Sequence, residues 1–287
     1  MPSVRDIRRR IRSVENTGKV TNAMSLIAAS KMRRAQNAVL QGRPYSEKIQ
    51  DVIAHLAAQP SDDASASQPL LQVRPVERIA VLVISPDRGL CGGMHANLNR
   101  RVGQFMLDQG VPVQVVAVGR KGRDFMVRSG SDLRAVFTDL GETPSLFDTV
   151  VISDMLVDLY AESEADEVYV AYTRFNSTLS QTPVVERLLP ITPSELTGAE
   201  RVGYIYEPDS LVVLQRILPR FIEMQVYHAL LESIASEQSA RMVAMRNATD
   251  NAKQLGEDLT LVMNKLRQES ITNELLDLVG GMAVLEK

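Results

Sequence analysis

The spacing of apolar residues predicts a very long helix in the last third of the chain. From about residue 207 to residue 281 the apolar positions keep a helical rhythm, interrupted only by Pro219 and Gly256. At about 1.5 Å per residue, such a helix of roughly 70 residues reaches on the order of 100 Å, which is more than a compact core can bury. Seven of its positions alternate spacings of three and four, as in a coiled-coil seam: Met245, Ala248, Ala252, Leu255, Leu259, Val262 and Leu266. This helix therefore requires a partner helix.

The partner helix is predicted at the opposite end of the chain, from residue 4 to about residue 56. Apolar residues recur there in the same rhythm, at Val4, Ile7, Ile11, Val14, Met24, Ile27, Met32, Ala35 and Val39. Small residues are interleaved with them, which favours close approach to Ala248 and Ala252: Ala23, Ala28, Ala29 and Ser30. We expect the two ends to form a long antiparallel two-helix coiled coil.

The middle of the chain alternates strand and helix patterns. A Pro-, Ser- and Asp-rich connector at 59–76 precedes them, and the continuous apolar run after it is typical of a strand buried on both faces. Alternation of this kind predicts an α/β fold, a small Rossmann-like parallel sheet inserted between the two halves of the coiled coil. The predicted strands are 77–85, 113–118 and 133–137, with a hairpin of 167–175 and 184–190 around a polar turn at 176–181; the helices are 95–108, 121–129 and 147–160. The predicted domains are a helix at 1–58, the connector, a globular domain at 77–206 and a helix at 207–287.

Charge changes this picture at the N-terminus. The 287-residue chain carries a net charge of -3, yet residues 1–44 contain ten Lys or Arg against only Asp6 and Glu15. Three interpretations stay open for this basic helix: a solvated face, a docking surface for an acidic protein, or a nucleic-acid patch, although no aromatic residues are interleaved for base stacking. No apolar run is long enough to cross a membrane. The basic start continues as an amphipathic helix without an apolar signal core, so we expect mature sequence in a cytoplasm.

Candidate chemistry is sparse. The glycine-rich turn at 87–93 follows a buried strand, where α/β proteins bind phosphates, but it lacks the Lys-Ser/Thr of a P-loop and the spacing of a dinucleotide fingerprint. The histidines, His55, His95 and His228, are scattered, so we expect no metal site. Ser85 and the lone Cys91 have no nucleophile-activating context, and a single cysteine excludes an intrachain disulfide. We expect a non-enzyme without cofactors.

Three segments together resemble the gamma subunit of the F-type ATP synthase. They are VRDIRRRIRSVENTGKVTNAMSLIAASKMRRAQ at 4–36, ISPDRGLCGG at 84–93 and SEQSARMVAMRNATDNAKQLGEDLTLVMNKLRQESITNELLDLVGG at 236–281. The resemblance implies a rotor shaft whose coiled coil enters a hexamer of alpha and beta subunits, while the globular domain contacts the epsilon subunit and the c-ring. It also implies a peripheral place on the cytoplasmic face of a bacterial plasma membrane, with neither nucleic-acid binding nor direct membrane insertion.

The resemblance further implies which residues contact the neighbouring subunits, none of them catalytic. Contacts with the alpha/beta hexamer fall on Met24, Arg241, Arg267, Gln268 and Thr272, and those at the c-ring and epsilon foot on Tyr204 and Glu207. Pro86 and the Met94-His95 pair depart from the family pattern within the globular domain. The alternative hypothesis is a nucleotide-binding α/β domain with coiled-coil arms, acting as a tether or sensor.

Overall fold

The computed structural model describes residues 3–57, 68–192, 207 and 209–285. Within these residues the chain forms five α-helices and five strands, with a short 3-10 helix at Pro69–Leu71. The helices are α1 Val4–Ala57, α2 Met94–Asp108, α3 Arg120–Arg128, α4 Leu146–Ala161 and α5 Ser210–Leu285. The strands are β1 Ile79–Ile84, β2 Val113–Val118, β3 Asp132–Phe137, β4 Glu167–Ser177 and β5 Ser180–Leu189.

The two terminal helices are as long as predicted, with 54 residues in α1 and 76 in α5. Pro219 and Gly256 do not break α5, because both lie inside it. The predicted hairpin forms with a tighter turn than expected, since β4 continues to Ser177 and β5 begins at Ser180. The predicted architecture, long terminal helices with an inserted sheet, is confirmed.

The five strands form one sheet in the order β3-β2-β1-β4-β5. β1 pairs in parallel with β2 and β4, and β2 pairs in parallel with β3, so the carboxyl ends of β1, β2 and β3 lie along one edge. β5 joins antiparallel to β4 and closes the hairpin. The sheet is therefore mostly parallel with one antiparallel edge strand, as the apolar pattern of β1 and the polar turn of the hairpin predict.

β1 is buried on both faces because helices cover each side of the sheet. Ala80, Leu82 and Ile84 belong to a large core with apolar residues of α4 and α5. Ile79, Val81 and Val83 belong to a second core with residues of α2 and α3. The alternation along β1 thus divides its side chains between two cores, which fixes its register. Part of the predicted connector also packs here, since Leu70 is buried in the larger core.

The chain divides into two compact units, residues 1–28 with 242–287 (unit 1) and residues 29–241 (unit 2). In unit 1 the helices run antiparallel: a Cβ added to Gly18 would lie 3.5 Å from Ala252, while Thr21 contacts Thr249. Unit 2 contains the sheet, α2, α3, α4 and the remaining parts of α1 and α5.

The seam of unit 1 differs in part from the predicted one. On α5 the predicted Leu255 is 48% exposed and Val262 is also exposed, whereas Thr249 and Gly256 are half-buried. On α1 the predicted Ile27 is 53% exposed and its neighbour Ala28 is buried. The inner positions keep a strict four-three alternation, at Ile7, Ile11, Val14, Gly18, Thr21, Ser25 and Ala28 on α1 and at Met245, Thr249, Ala252, Gly256, Leu259, Met263 and Leu266 on α5. Small and hydroxyl residues, rather than the largest apolar ones, therefore line much of the contact.

Candidate functional site

The outer surface of unit 1 carries many large apolar side chains. Exposed residues of this kind occur on both helices, at Val20, Leu26, Ile27, Leu255, Leu261, Val262, Ile271, Leu275, Leu276 and Leu278. Their number exceeds the scattered single residues expected on a solvated helix pair, and such surfaces mark protein-binding sites. This exposed apolar surface favours docking onto another protein.

The residues assigned to the hexamer contact occupy different environments. Arg267, Gln268 and Thr272 are exposed on one stretch of α5, where the Thr272 hydroxyl donates to the Gln268 carbonyl oxygen at 2.9 Å. Met24 is half-buried on α1. The structure describes Glu207 as exposed, while Tyr204 lies outside the described residues.

The basic start of α1 presents its arginines to solvent. Arg5, Arg8, Arg9 and Arg12 are exposed and line one shallow depression. Asp6, the only acid among them, is engaged in the helix start: the Ser3 hydroxyl donates to its carboxylate at 2.8 Å, and the Asp6 N–H donates to the Ser3 hydroxyl oxygen. The hydrogen bond from the Ser3 hydroxyl lowers the pKa of Asp6. The surface therefore stays strongly positive, which suits an acidic partner.

The carboxylate of Asp87 links the glycine-rich turn after β1 to two neighbouring segments. One carboxylate oxygen of Asp87 accepts the N–H of Arg120 at 3.0 Å, and the other accepts the N–H of Asp139 at 3.1 Å. Asp87 thereby joins the ends of β1, β2 and β3. In a phosphate-binding loop the backbone N–H at the start of the following helix faces the ligand, whereas here a carboxylate joins the turns. This geometry supports a structural turn over a nucleotide site.

Neither nucleophile candidate at this strand end is activated. Ser85 is buried, donates to the Val118 carbonyl oxygen at 3.0 Å and accepts the N–H of Gly122 at 2.7 Å. Gly119 crosses so close that a Cβ added there would lie 1.9 Å from the Ser85 carbonyl oxygen, so only glycine fits. Cys91 is fully buried, and burial raises the pKa of its thiol, with Glu237 adding to the rise. The Ser85 hydroxyl is therefore used in structural hydrogen bonds, and the Cys91 thiol packs in the interior.

Charged side chains from five separate segments meet at the same edge of the sheet. Asp87, Arg88, Arg120, Asp139, Glu142 and Glu237 line one small cavity of about 190 Å³. Arg120 binds Asp139 at 2.6 Å, Arg241 binds Glu237 at 2.6 Å, and Lys31 binds Glu142. Sequence reasoning missed this cluster, because its members come from distant segments and share no motif.

The pKa values within the cluster follow from these contacts. The hydrogen bond from Arg120 lowers the pKa of Asp139, and that from Lys31 lowers the pKa of Glu142. Burial raises the pKa of Glu237 although Arg241 opposes the rise. The exposed acids are thus held in the charged form, while Glu237 depends on Arg241 for its charge.

The described residues contain neither a metal-binding cluster nor a membrane-spanning helix. Within them, no group of three or more His, Cys, Asp or Glu side chains is arranged to hold a metal ion. None of the helices that the structure describes has a stretch long and apolar enough to cross a membrane.

Comparison with known proteins identifies the family. The ATP synthase family model matches residues 3–285. The ATP synthase gamma chain of Dehalococcoides mccartyi is 59% identical over 285 residues, covering 99% of this chain and 100% of the relative, and that of a Roseiflexus species is 50% identical, covering 99% of each. The chain belongs to the ATP synthase gamma chain family. A gamma chain is a non-catalytic subunit, the rotor of the central stalk, so the predicted family and the predicted role as a non-catalytic rotor subunit are confirmed.

Solved structures agree on the fold of this gamma chain. A cryo-EM structure of the Euglena gracilis mitochondrial ATP synthase contains a chain with a TM-score of 0.67 at 18% identity, covering 98% of this chain and 94% of that one. A chain in a cryo-EM structure of the central stalk and c-ring of the Tetrahymena thermophila mitochondrial ATP synthase has a TM-score of 0.61 at 22% identity, covering 80% of this chain and 99% of that one. Long terminal helices with an inserted sheet are therefore shared by distant ATP synthase structures.

Proposed function

We propose that this chain is the shaft that transmits rotation between a proton-driven c-ring and a catalytic hexamer of alpha and beta subunits. Family membership supports the rotor role, and the exposed apolar surface of unit 1 is the observation that carries the docking part of the proposal. On a protein that worked alone, this surface would favour aggregation. Inside a hexamer cavity it would be covered.

The proposed hexamer contacts are Met24, Arg241, Arg267, Gln268 and Thr272. Arg267 and Gln268 are exposed, so a beta-subunit loop could reach their hydrogen-bonding groups without rearrangement of the shaft. Arg241 differs, because its side chain is only 12% exposed and already bonded to Glu237 and to the Gly89 carbonyl oxygen. We expect a partner to reach only the exposed edge of Arg241.

The basic start of α1 supports contact with an acidic collar on the hexamer. Its exposed arginines can form ion pairs that are broken and remade at low cost, because surface ion pairs are weak and largely solvated. Such contacts suit a surface that turns against its neighbours. The same positions would not hold a fixed interface tightly.

At the other end of the complex, we propose that Tyr204 and Glu207 belong to the foot that contacts the c-ring and the epsilon subunit. Glu207 is exposed, as a contact residue requires. Attachment through these subunits would place the chain peripherally on the cytoplasmic face of the bacterial plasma membrane. No nucleic acid and no direct membrane insertion enter this proposal.

Co-purification tests the proposal. The chain is co-expressed with the alpha and beta subunits of its own organism, and subunit ratio and ATPase activity are measured with and without it. One copy per three alpha and three beta subunits, with ATPase activity raised by the chain, is the expected result. Failure to associate, together with ATP binding by the chain alone, would replace the shaft by the nucleotide-sensing tether.

A further inference from the structure

Unit 2 holds its two long helices to the sheet through a set of charged side chains, which we call the charge clasp. The clasp contains four acids and four bases, so its formal charges balance: Asp87, Asp139, Glu142 and Glu237 with Lys31, Arg88, Arg120 and Arg241. A balanced set has no net charge to attract a free ion. Three of its bases, Lys31, Arg120 and Arg241, each bind an acid of the clasp.

The base of the clasp links three strand ends. Asp87 accepts N–H groups from the starts of two neighbouring segments, at Arg120 and Asp139. The Arg120 guanidinium donates to both carboxylate oxygens of Asp139, at 2.6 and 2.7 Å. Both contacts come from one guanidinium nitrogen, Nη2, and they are charge-assisted hydrogen bonds. The carboxyl ends of β1, β2 and β3 are therefore fixed to one another.

Each long helix binds this base at one point. On α1, Lys31 donates to Glu142, which follows Asp139 by three residues. On α5, Arg241 donates to Glu237 of its own helix and to the Gly89 carbonyl oxygen, at 3.2 Å, in the turn that Asp87 holds. Two helices from opposite ends of the chain thus meet the same edge of the sheet through polar contacts.

On both helices the contacts of the clasp lie at the boundary of unit 2. Lys31 is the third residue of unit 2 on α1, and Arg241 is the last residue of unit 2 on α5. Apolar packing also holds these helices, through Ile49 and Ile53 on α1 and Ile222 on α5, and it extends toward the boundaries, where Met32 and Ala235 are buried.

The pair of Lys31 with Glu142 is less solvated than the pairs available at the start of α1, since the Lys31 side chain is 30% exposed and that of Arg9 85%. A charge-assisted bond that reaches from the side of α1 to the sheet edge opposes turning of the helix about its own axis.

We propose that Lys31 and Glu142 are positioning residues that keep α1 in angular register with the sheet, so that torque on the helices of unit 2 reaches the globular domain without slip. This inference rests on the proposed shaft function. Without the pair, α1 could yield under load while the hexamer continued to hydrolyse ATP. The loss would appear in coupling, because the catalytic sites lie on other subunits.

The test compares ATP hydrolysis with ATP-driven proton pumping in the whole ATP synthase reconstituted into vesicles. The variants are Lys31→Glu, Glu142→Lys and the double charge swap. Each single variant is expected to lower the protons pumped per ATP hydrolysed about two-fold or more, and the swap is expected to restore the ratio. Unchanged ratios in the single variants would overturn the proposal, as would a swap that fails to restore them.

A matched control uses another ion pair of unit 2. Arg134 binds Glu164 at 2.5 Å outside the clasp, and the control variant breaks this pair by the single change Arg134→Glu. This control should leave the pumping ratio unchanged. An equal loss would show a general effect of lost ion pairs and would overturn the assigned role.

Two further results separate the possible failures. If Lys31→Glu prevents assembly, Glu142→Gln decides, since it removes the charge and keeps the shape: a lowered ratio supports the proposal and a wild-type ratio overturns it. If the unmodified chain itself fails to join alpha and beta, the shaft function has failed. If the enzyme pumps normally in every variant, the proposed role of the charge clasp has failed, while the shaft function still stands.

Discussion

The hydroxyls of Thr21 and Thr249 lie 2.7 Å apart across the helix pair, joining two residues separated by 228 positions. Thr21 also lies 3.1 Å from the Gly18 carbonyl oxygen and Thr249 2.9 Å from that of Met245. Each hydroxyl can therefore bond within its own helix or across to the other. A polar pair at this place in the seam favours one alignment of the two helices, since a shift would leave the hydroxyls against apolar neighbours.

Replacing the threonine pair tests this alignment. Thr21→Val alone should cost about 1 kcal/mol of unfolding free energy, because it leaves the Thr249 hydroxyl without its partner across the seam. The double variant with Thr249→Val should cost less than the sum of the two single changes. Urea unfolding of the four proteins in a double-mutant cycle measures the coupling, and strict additivity would contradict a direct bond.

Gly18 offers a test of helix spacing. A Cβ at this position would meet Ala252 at 3.5 Å, an ordinary contact distance. Gly18→Ala should therefore stabilise the chain by up to about 1 kcal/mol through helix propensity, while Gly18→Leu should destabilise it by forcing the helices apart. Thermal unfolding measures both, and a destabilising alanine would show that the helices lie closer than the structure has them.

The corrected seam makes opposite predictions for two neighbouring leucines. Leu255→Asp should leave the stability of the purified chain within about 0.5 kcal/mol, because the side chain is largely exposed. Leu259→Asp should destabilise unit 1 by about 1 to 3 kcal/mol, because it puts a charge into a half-buried seam position. Hydrogen exchange of α5 in each variant measures the difference. Equal effects would contradict the seam described above.

Leu255→Asp should nonetheless weaken association with the alpha and beta subunits, since its side chain belongs to the exposed apolar surface of unit 1. Co-purification yield measures this effect. Glu257→Asp, an exposed and conservative change on the same helix, is the control that should associate normally.

Asp166 connects stability to pH. Its carboxylate is buried and accepts the N–H groups of Glu77 and Arg78, both at 2.9 Å. Burial alone would raise the pKa of Asp166, but these bonds with the charges of Arg74 and Arg78 hold it below its usual value. A lowered folded-state pKa contributes stability above the unfolded value, and that stability is lost as pH falls.

Asp166→Asn removes the charge and keeps an acceptor oxygen. The variant should be less stable than the original chain by about 1 to 3 kcal/mol at pH 7. The gap should narrow as pH falls from about 5 toward 3, because only the original chain loses stability by protonation there. Urea unfolding at a series of pH values measures the difference in unfolding free energy between the two proteins. A difference that stays constant with pH would contradict the stabilising role of the Asp166 charge.

Much of the fold could be predicted because single patterns determine it. β1 shows in the sequence as a continuous apolar run, since both of its faces are buried, and the terminal helices show as long three-four repeats. The seam could be predicted only in part. Leu255 and Gly256 both fit a three-four alternation, and hydrophobicity favours the leucine as the seam residue. Close packing of the helices instead places Gly256 in the seam and leaves Leu255 exposed.

The charge clasp could not be predicted from the sequence. Lys31 and Glu142 are 111 positions apart and each resembles an ordinary surface residue in its own segment. Only the crossing of α1 past the carboxyl edge of the sheet brings them together. Asp87 lies in the glycine-rich turn that the sequence predicts. The two N–H groups that donate to its carboxylate belong to segments after β2 and β3, and the sequence of the turn does not indicate them.

The pairing of Gly18 with Ala252 also sets an order of events during synthesis. At roughly 5 to 20 residues per second, the ribosome makes the second member on the order of ten to fifty seconds after the first. During that interval α1 has no seam to pack against, and Ile7, Ile11 and Val14 stay open to other chains. Unit 1 can close only when translation is nearly finished, so the N-terminal helix needs protection from aggregation while the rest of the chain is still being made.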